Sequence, residues 1–203
     1  VAAEQFRLPV YLPGEVLAGE SKNELELKHD GQRVLIQGND FRVGFDKNDG
    51  KLVSFSFGGT EFIKRGLEPN FWRAPNDNDF GNDMPKRLGI WRHAGKNFKL
   101  KEIKTKRVNR HTVIVETFFL WEATRSCYDI TYEVTGKPEI IVSARFSPGR
   151  LDLPDMPRFG MNMTLPASFD HCTWFGRGPH ENYVDRKTSA FVGLYNSKVK
   201  DLY

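Results

Sequence analysis

From residue 24 onward, apolar and polar side chains change places in short runs. "ELELKHD" (24–30), "RVLIQG" (33–38), "FRVGFD" (41–46) and "KLVSFSF" (51–57) switch class nearly every second residue, the period of a half-buried strand. Asp30-Gly31 separates the first pair and "KNDG", with Asp49-Gly50, separates the second. Asp-Gly tolerates the positive φ of a tight turn, so two hairpins are predicted. "TEFIKRG" (60–66) follows Gly58-Gly59 as a further short strand. "DMPKRLGIWRHAG" (83–95) breaks the pattern. Met84, Leu88 and Trp91 fall at helical spacing, Pro85 lies near the start and Gly95 can end it, which predicts a helix although Gly89 sits inside. Alternating or β-branched runs then return: "FKLKEIKTKRV" (98–108), "HTVIVETFFLW" (111–121), "RSCYDITYEVTG" (125–136) and "EIIVSARFS" (139–147). "MPRFGMNMTLP" (156–166), "HCTWFGRG" (171–178) and "AFVGLYN" (190–196) continue them. These runs, about 7–11 residues, exceed the usual strand mode of about 5–6. Many long antiparallel strands with almost no helix predict an all-β fold, a broad two-sheet sandwich. No repeat of 20–50 residues marks a propeller or solenoid.

Composition strengthens the sheet reading. Of 203 residues, 16 are phenylalanine, and the 39% hydrophobic and 28% charged fractions are those of a folded chain. The first residues differ from the rest. "AAEQFRLP" (2–9) alternates weakly and stops at proline, so residues 1–12 are expected to be the last strand of a preceding module. Residues 13–22, rich in proline, glycine and polar side chains, are expected to be a linker, and 23–203 the main domain. The chain opens without methionine, a basic n-region or an apolar h-region, and "SKVKDLY" ends it without a cap. Both ends predict a piece cut from a longer chain. No apolar run approaches the ~20 residues of a membrane span, so no membrane partner is expected.

The net charge is +4, from 30 Lys and Arg against 26 Asp and Glu. The densest basic run, "KNFKLKEIKTKRVNRH" (96–111), has no recognition motif beside it. It fits a solvated strand face whose lysines discourage edge pairing, and no nucleic-acid partner is expected. Cys127 lies among apolar strand residues and is predicted to be buried packing, while a single bridge to Cys172 stays open. "NMT" (162–164) fits the glycosylation pattern, a short motif common by chance.

Two stretches concentrate polar chemistry. "NFWRAPNDNDFGND" (70–83) sets two aromatics and an arginine before a run of carboxamides and carboxylates. An EF-hand loop needs glycine at its sixth position and glutamate at its twelfth. Counting from Asp77, these are Asn82 and Leu88, so that loop is excluded and a calcium site of another geometry stays open. Asp and Asn also close turns on their own backbone. Alternatively, Asp, Asn and Arg beside aromatic faces suit a polyol. The second stretch is "WFGRGPHENYVDRKT" (174–188), in which Gly176 and Gly178 bracket Arg177. His180 and Glu181 could do acid–base work, although neighbours in extended backbone point to opposite faces. An ordered loop held by an internal Asp–Arg pair explains the same residues. The Gly-x-Gly has no helix pattern behind it, no serine sits in a nucleophile elbow, and the five histidines lack zinc spacing.

Together the two stretches resemble the C-terminal domain of large bacterial β-galactosidases of glycoside hydrolase family 2. "RAPNDND" (73–79) matches that family's RAPxDND block, and "GRGPHENYVDR" (176–186) matches its GxGPxENYxDR block. The two lie about a hundred residues apart in the family's order. "VAAEQFRLP" resembles the last strand of the immunoglobulin-like domain preceding that domain, "FDKNDGKLVSFSFGGTEFI" its opening hairpin, and "DLY" the start of a D-x-Y segment. The resemblance implies a large antiparallel two-sheet supersandwich, galactose mutarotase-like and incomplete at its C-terminus. It implies hydrolysis of terminal β-galactosides with retention by the parent enzyme. The two catalytic glutamates would lie in an upstream barrel domain, and any magnesium or sodium would be bound there. Hence no catalytic residue and no cofactor is assigned to this chain. Arg73, Asp77, Asn78, Asp79, His180, Glu181 and Asp185 are expected on a surface facing sugar or barrel. A homo-oligomer and a bacterial cytoplasmic or periplasmic location are expected. Two other roles compete: a stand-alone carbohydrate-binding module, and a mutarotase-like epimerase using His180 and Glu181.

Overall fold

A computed structural model describes Gln5, residues 23–183 and residues 186–202. The expected terminal strand (1–12, Gln5 apart) and linker (13–22) lie outside the described residues. The chain falls into two compact units: residues 20–166, and residues 167–203 with 1–19.

The larger unit starts with an antiparallel meander: β1 (Glu26–Asp30), β2 (Arg33–Gln37), β3 (Phe41–Asp46), β4 (Leu52–Phe57) and β5 (Thr60–Glu61). Both predicted hairpins are present. In the β3–β4 turn the Asn48 N–H donates to Asp46 Oδ1 at 2.7 Å, and Gly50 takes φ +70°. The expected strand 60–66 is instead two: β5 ends early and β6 (Arg65–Asn70) pairs with β11 (Gly160–Thr164). A second antiparallel sheet contains β7 (Lys99–Asn109), β8 (Thr112–Trp121), β9 (Ser126–Thr135) and β10 (Ile140–Ser147), in the order β10-β9-β8-β7.

Alternation on these strands builds the core. Val113, Val115, Phe119 and Trp121 of β8 and Tyr128, Ile130, Tyr132 and Val134 of β9 point inward; so do Val34, Ile36, Val43 and Phe45 of the meander. Phe45 meets Tyr132 edge-on at 4.9 Å between ring centres, so the two sheets face each other across one apolar layer, an all-β antiparallel sandwich. The lysine-rich run is β7, the edge of its sheet, with most of its side chains exposed. Cys127 corrects its expectation. It is half-buried and lies on the β9 face opposite the fully buried Ser126 and Tyr128, because period-two alternation places neighbours on opposite faces. Both cysteines are free thiols.

The predicted helix 83–95 is not one helix. Residues 77–97 form α1 (Asp77–Gly81), α2 (Met84–Arg87), a 3-10 turn (Gly89–His93) and α3 (Ala94–Asn97). Asp83, at φ +58°, divides α1 from α2, Leu88 ends α2 at φ −106° and ψ 8° inside the predicted helix, and Gly89 lowers the helical propensity of the segment that follows. Tertiary burial of Met84, Trp91 and Ala94 holds these turns in place of continuous helical hydrogen bonding.

In the smaller unit, β12 (His171–Gly178) and β13 (Phe191–Lys198) form a hairpin in unbroken register, from His171 opposite Lys198 to Gly178 opposite Phe191. No helix among the described residues is long and apolar enough to cross a membrane.

Candidate functional site

Phe71, at 1% exposure, roots the first polar stretch in the core against Trp91, Phe98 and Tyr128. The Trp91 indole N–H donates to the Pro154 carbonyl at 3.0 Å. Between these anchors the chain folds on itself. Asn70 Oδ1 accepts from the Trp72 N–H at 3.1 Å. Asn76 caps α1: its Oδ1 accepts from the Asp79 N–H and its own N–H donates to Asp79 Oδ2, both at 2.9 Å, a reciprocal capping box. The Arg73 guanidinium spans both Asp79 oxygens, Nη2 lying 2.7 Å from Oδ1 and Nη1 bonding Oδ2. Arg73, and then the Asn76 N–H, hold the Asp79 carboxyl below the usual carboxylate range. Asp79 is buried, whereas Asp77, Asn78 and Phe80 are exposed on the outside of the loop.

The second polar stretch is closed by a different arginine. Arg177 Nη1 donates to the carbonyls of Lys187 and Ala190, each at 2.8 Å, strapping the 179–190 loop back onto β12. Trp174 Nε1 donates to the Arg177 carbonyl at 3.1 Å, and its ring lies on Tyr195 at 5.5 Å. A Cβ at Gly178 would come within 2.8 Å of the Tyr195 ring, so that position admits only glycine without a shift. His180 is held at both ring nitrogens, Nδ1 at 2.8 Å from the Glu181 carbonyl and Nε2 at 3.3 Å from the Ser189 carbonyl. Both ring nitrogens are thus turned toward carbonyls of their own loop. Glu181 Oε2 accepts from the Tyr183 hydroxyl at 3.3 Å, and Oε1 lies 3.9 Å from Arg186. Asp185 lies outside the described residues.

The structure thus joins Arg73 to Asp79 and His180 to its neighbour Glu181. The first group lies in the larger unit and the second in the smaller. Among the described residues, no group of three or more His, Cys, Asp or Glu is placed to hold a metal ion.

A cleft of about 490 Å3 in the larger unit escaped the sequence reading. It is walled by the β3–β4 turn, β6, the 3-10 turn with α3, and Asn162 of β11, and floored by buried aromatics including Tyr132. Asn70 and Phe71 of the first polar stretch and Asn162 of the NMT motif reach it, but no contiguous motif marks it, because its walls come from segments spread between residues 48 and 162.

Comparison with known proteins gives the two stretches a context. The chain is 36% identical over 203 residues to a β-galactosidase of Priestia megaterium, covering 99% of this chain and 19% of that protein. It is 39% identical over 184 residues to one of Lactobacillus delbrueckii subsp. bulgaricus, covering 86% and 18%. It is 33% identical over 177 residues to one of Clostridium acetobutylicum, covering 87% and 20%. The chain therefore spans about a fifth of the length of these relatives. Residues 37–203, which carry both polar stretches, match the model described as "Beta galactosidase small chain", and the chain belongs to that family.

Proposed function

We propose that this chain is the non-catalytic small-chain domain of a glycoside hydrolase family 2 enzyme that cleaves terminal β-D-galactosides with retention. In that enzyme the domain packs on a barrel domain carrying the catalytic glutamates and helps to shape the sugar site. The carrying observation is how both polar stretches are built: their arginines, Asp79 and His180 are committed to their own loops. Such groups position a surface; they are not free to protonate or attack a glycosidic oxygen. On this reading Asp77 and Asn78, exposed on a locked loop, face sugar or barrel, and Arg73 and Asp79 act as positioning residues.

Two measurements test the reading. The 203-residue chain alone is expected to give no turnover of a nitrophenyl β-galactoside, and hydrolysis above background would overturn the non-catalytic role. Replacing the matched fifth of the Priestia megaterium β-galactosidase by this chain is expected to keep that enzyme active, whereas deleting the segment abolishes activity. An inactive but folded chimera would remove the assignment.

A further inference from the structure

The two edges of the β10-β9-β8-β7 sheet are built differently. The β7 edge carries Lys99, Lys101, Lys104 and Lys106, and its register against β8 breaks twice, between Leu100 and Glu102 and between Arg107 and Asn109. Edge lysines and bulges both discourage a further strand. The β10 edge has neither. "IIVSARFS" (140–147) holds no lysine, proline or glycine, and it pairs with β9 without a break, from Ile140 opposite Val134 to Ser147 opposite Cys127. Its one charged side chain, Arg145, is engaged by Asp129 of β9 at 3.0 Å. Among the described residues no strand pairs with the other side of β10, so about half of its backbone N–H and C=O groups face away from the sheet.

A second feature runs along the same edge. An apolar groove of about 530 Å3 is lined by Ile140, Val142 and Ala144 of β10 together with Met161, Met163 and Leu165. The three β10 residues are half-buried, and Met163 and Leu165 are 54% and 38% exposed, so incoming side chains can reach the groove. These β10 residues are every second one, on the face that a strand added at this edge would extend. The fitting occupant is therefore an extended segment, apolar at alternate positions and uncharged on that face.

β10 itself meets that description. Laid antiparallel on its own copy with Ser143 on the two-fold axis, it sets Ile140 opposite Phe146, Val142 opposite Ala144 and Ile141 opposite Arg145. Every groove-side position then faces an apolar one. The two arginines stay apart, whereas a register centred on Arg145 would set like charges directly opposite, which is unfavourable. We propose that β10 is an isologous dimer edge, at which two copies of this chain join their four-stranded sheets into one and each β10 covers the other copy's groove.

Light scattering of the 203-residue chain at about 100 μM should give the mass of two chains, falling toward one on dilution. Ser143→Lys, which sets two lysines opposite each other at an exposed position, should raise the dissociation constant at least about tenfold and leave the far-ultraviolet circular dichroism unchanged. Oxidative cross-linking in a Cys127→Ser/Cys172→Ser background tests the register. Ser143→Cys should link two chains, because directly paired Cα atoms lie about 4.5–5.5 Å apart, within disulfide reach. Ile141→Cys should not, because its two copies are separated by the span from Ile141 to Arg145, about 13 Å. A monomer at the higher concentration would overturn the proposal and give the edge to a strand of another polypeptide. A dimer that Ser143→Lys leaves intact, or equal cross-linking of the two cysteine variants, would also overturn it. None of these outcomes bears on the β-galactosidase reading, which the chimera tests separately.

Discussion

Both polar stretches are pinned by one arginine, but the two arginines use different partners. Arg73 grips a carboxylate, Asp79, in a loop whose ends are anchored in the core by Phe71 and Trp91. Arg177 grips two backbone carbonyls in a loop borne by a hairpin that is two-stranded among the described residues. Phe175 and Leu194, opposite one another in that hairpin, are 78% and 72% exposed, and the Gln5 side chain bonds both backbone groups of Val192 on β13. Rigidity in the first stretch thus comes from the core and an ion pair; in the second it comes from local hydrogen bonds. The first should respond to core damage and to acid, the second to neither.

Trp91→Ala should break this contrast most severely. Removing a buried tryptophan costs about 3–5 kcal/mol, and the 77–97 turns should lose amide-exchange protection while the β12–β13 hairpin keeps its own. Equal loss in both would show that the units do not fold separately. Asp79→Asn is next. It removes the charge on Arg73's partner, so the urea midpoint should fall clearly more than in Asp77→Asn, whose side chain is exposed.

Acid should act through the same group. The folded Asp79 pKa lies below its ordinary value, so its stabilisation is complete above the unfolded value and is lost as pH falls through the folded one. The window lies below about pH 4. Denaturation curves from pH 5 to pH 2 should show a stability loss that shrinks in Asp79→Asn. The Arg177 strap contains no carboxylate and should not contribute to it. A smaller loss is expected from Arg177→Ala, about 1.5 kcal/mol for charge-assisted bonds to carbonyls. Exchange protection should fall at Ala190, whose N–H donates to the Lys187 carbonyl at 3.1 Å, and stay unchanged in residues 71–97. The smallest effect belongs to Tyr128→Phe. The Tyr128 hydroxyl is buried without a partner and its pKa is pushed up to about 12 by burial, so its removal should leave stability within about 0.5 kcal/mol or raise it slightly.

The strand pattern was legible because period-two alternation is a local property: "TVIVETFFLW" shows its buried face without reference to any neighbour. The Asp30-Gly31 and Asp49-Gly50 turns were legible for the same reason. The 83–95 segment misled because spacing reveals which residues are buried but not whether the backbone between them stays helical. Leu88, which ends α2 at φ −106° and ψ 8°, decided that. Cys127 misled because it was read by its apolar neighbours, whereas the alternation sets it with Asp129, Thr131 and Glu133 on the outward face.

For the candidate site, sequence order placed the two blocks and their family, since a block match needs no coordinates. It did not show that Asp79 is consumed by Arg73 and Asn76, or that His180 faces carbonyls at both nitrogens. Those facts depend on side-chain directions set by a turn and a cap. The cleft over Tyr132 was invisible for a stronger reason. Its walls are assembled from β3–β4, β6, the 3-10 turn and β11. By itself the sequence determined the strands, the hairpin turns and the family, all carried by contiguous residues. Only the tertiary structure decided which polar groups are spent within their loops and which remain buried without a partner, because hydrogen-bond satisfaction is a property of three-dimensional neighbours.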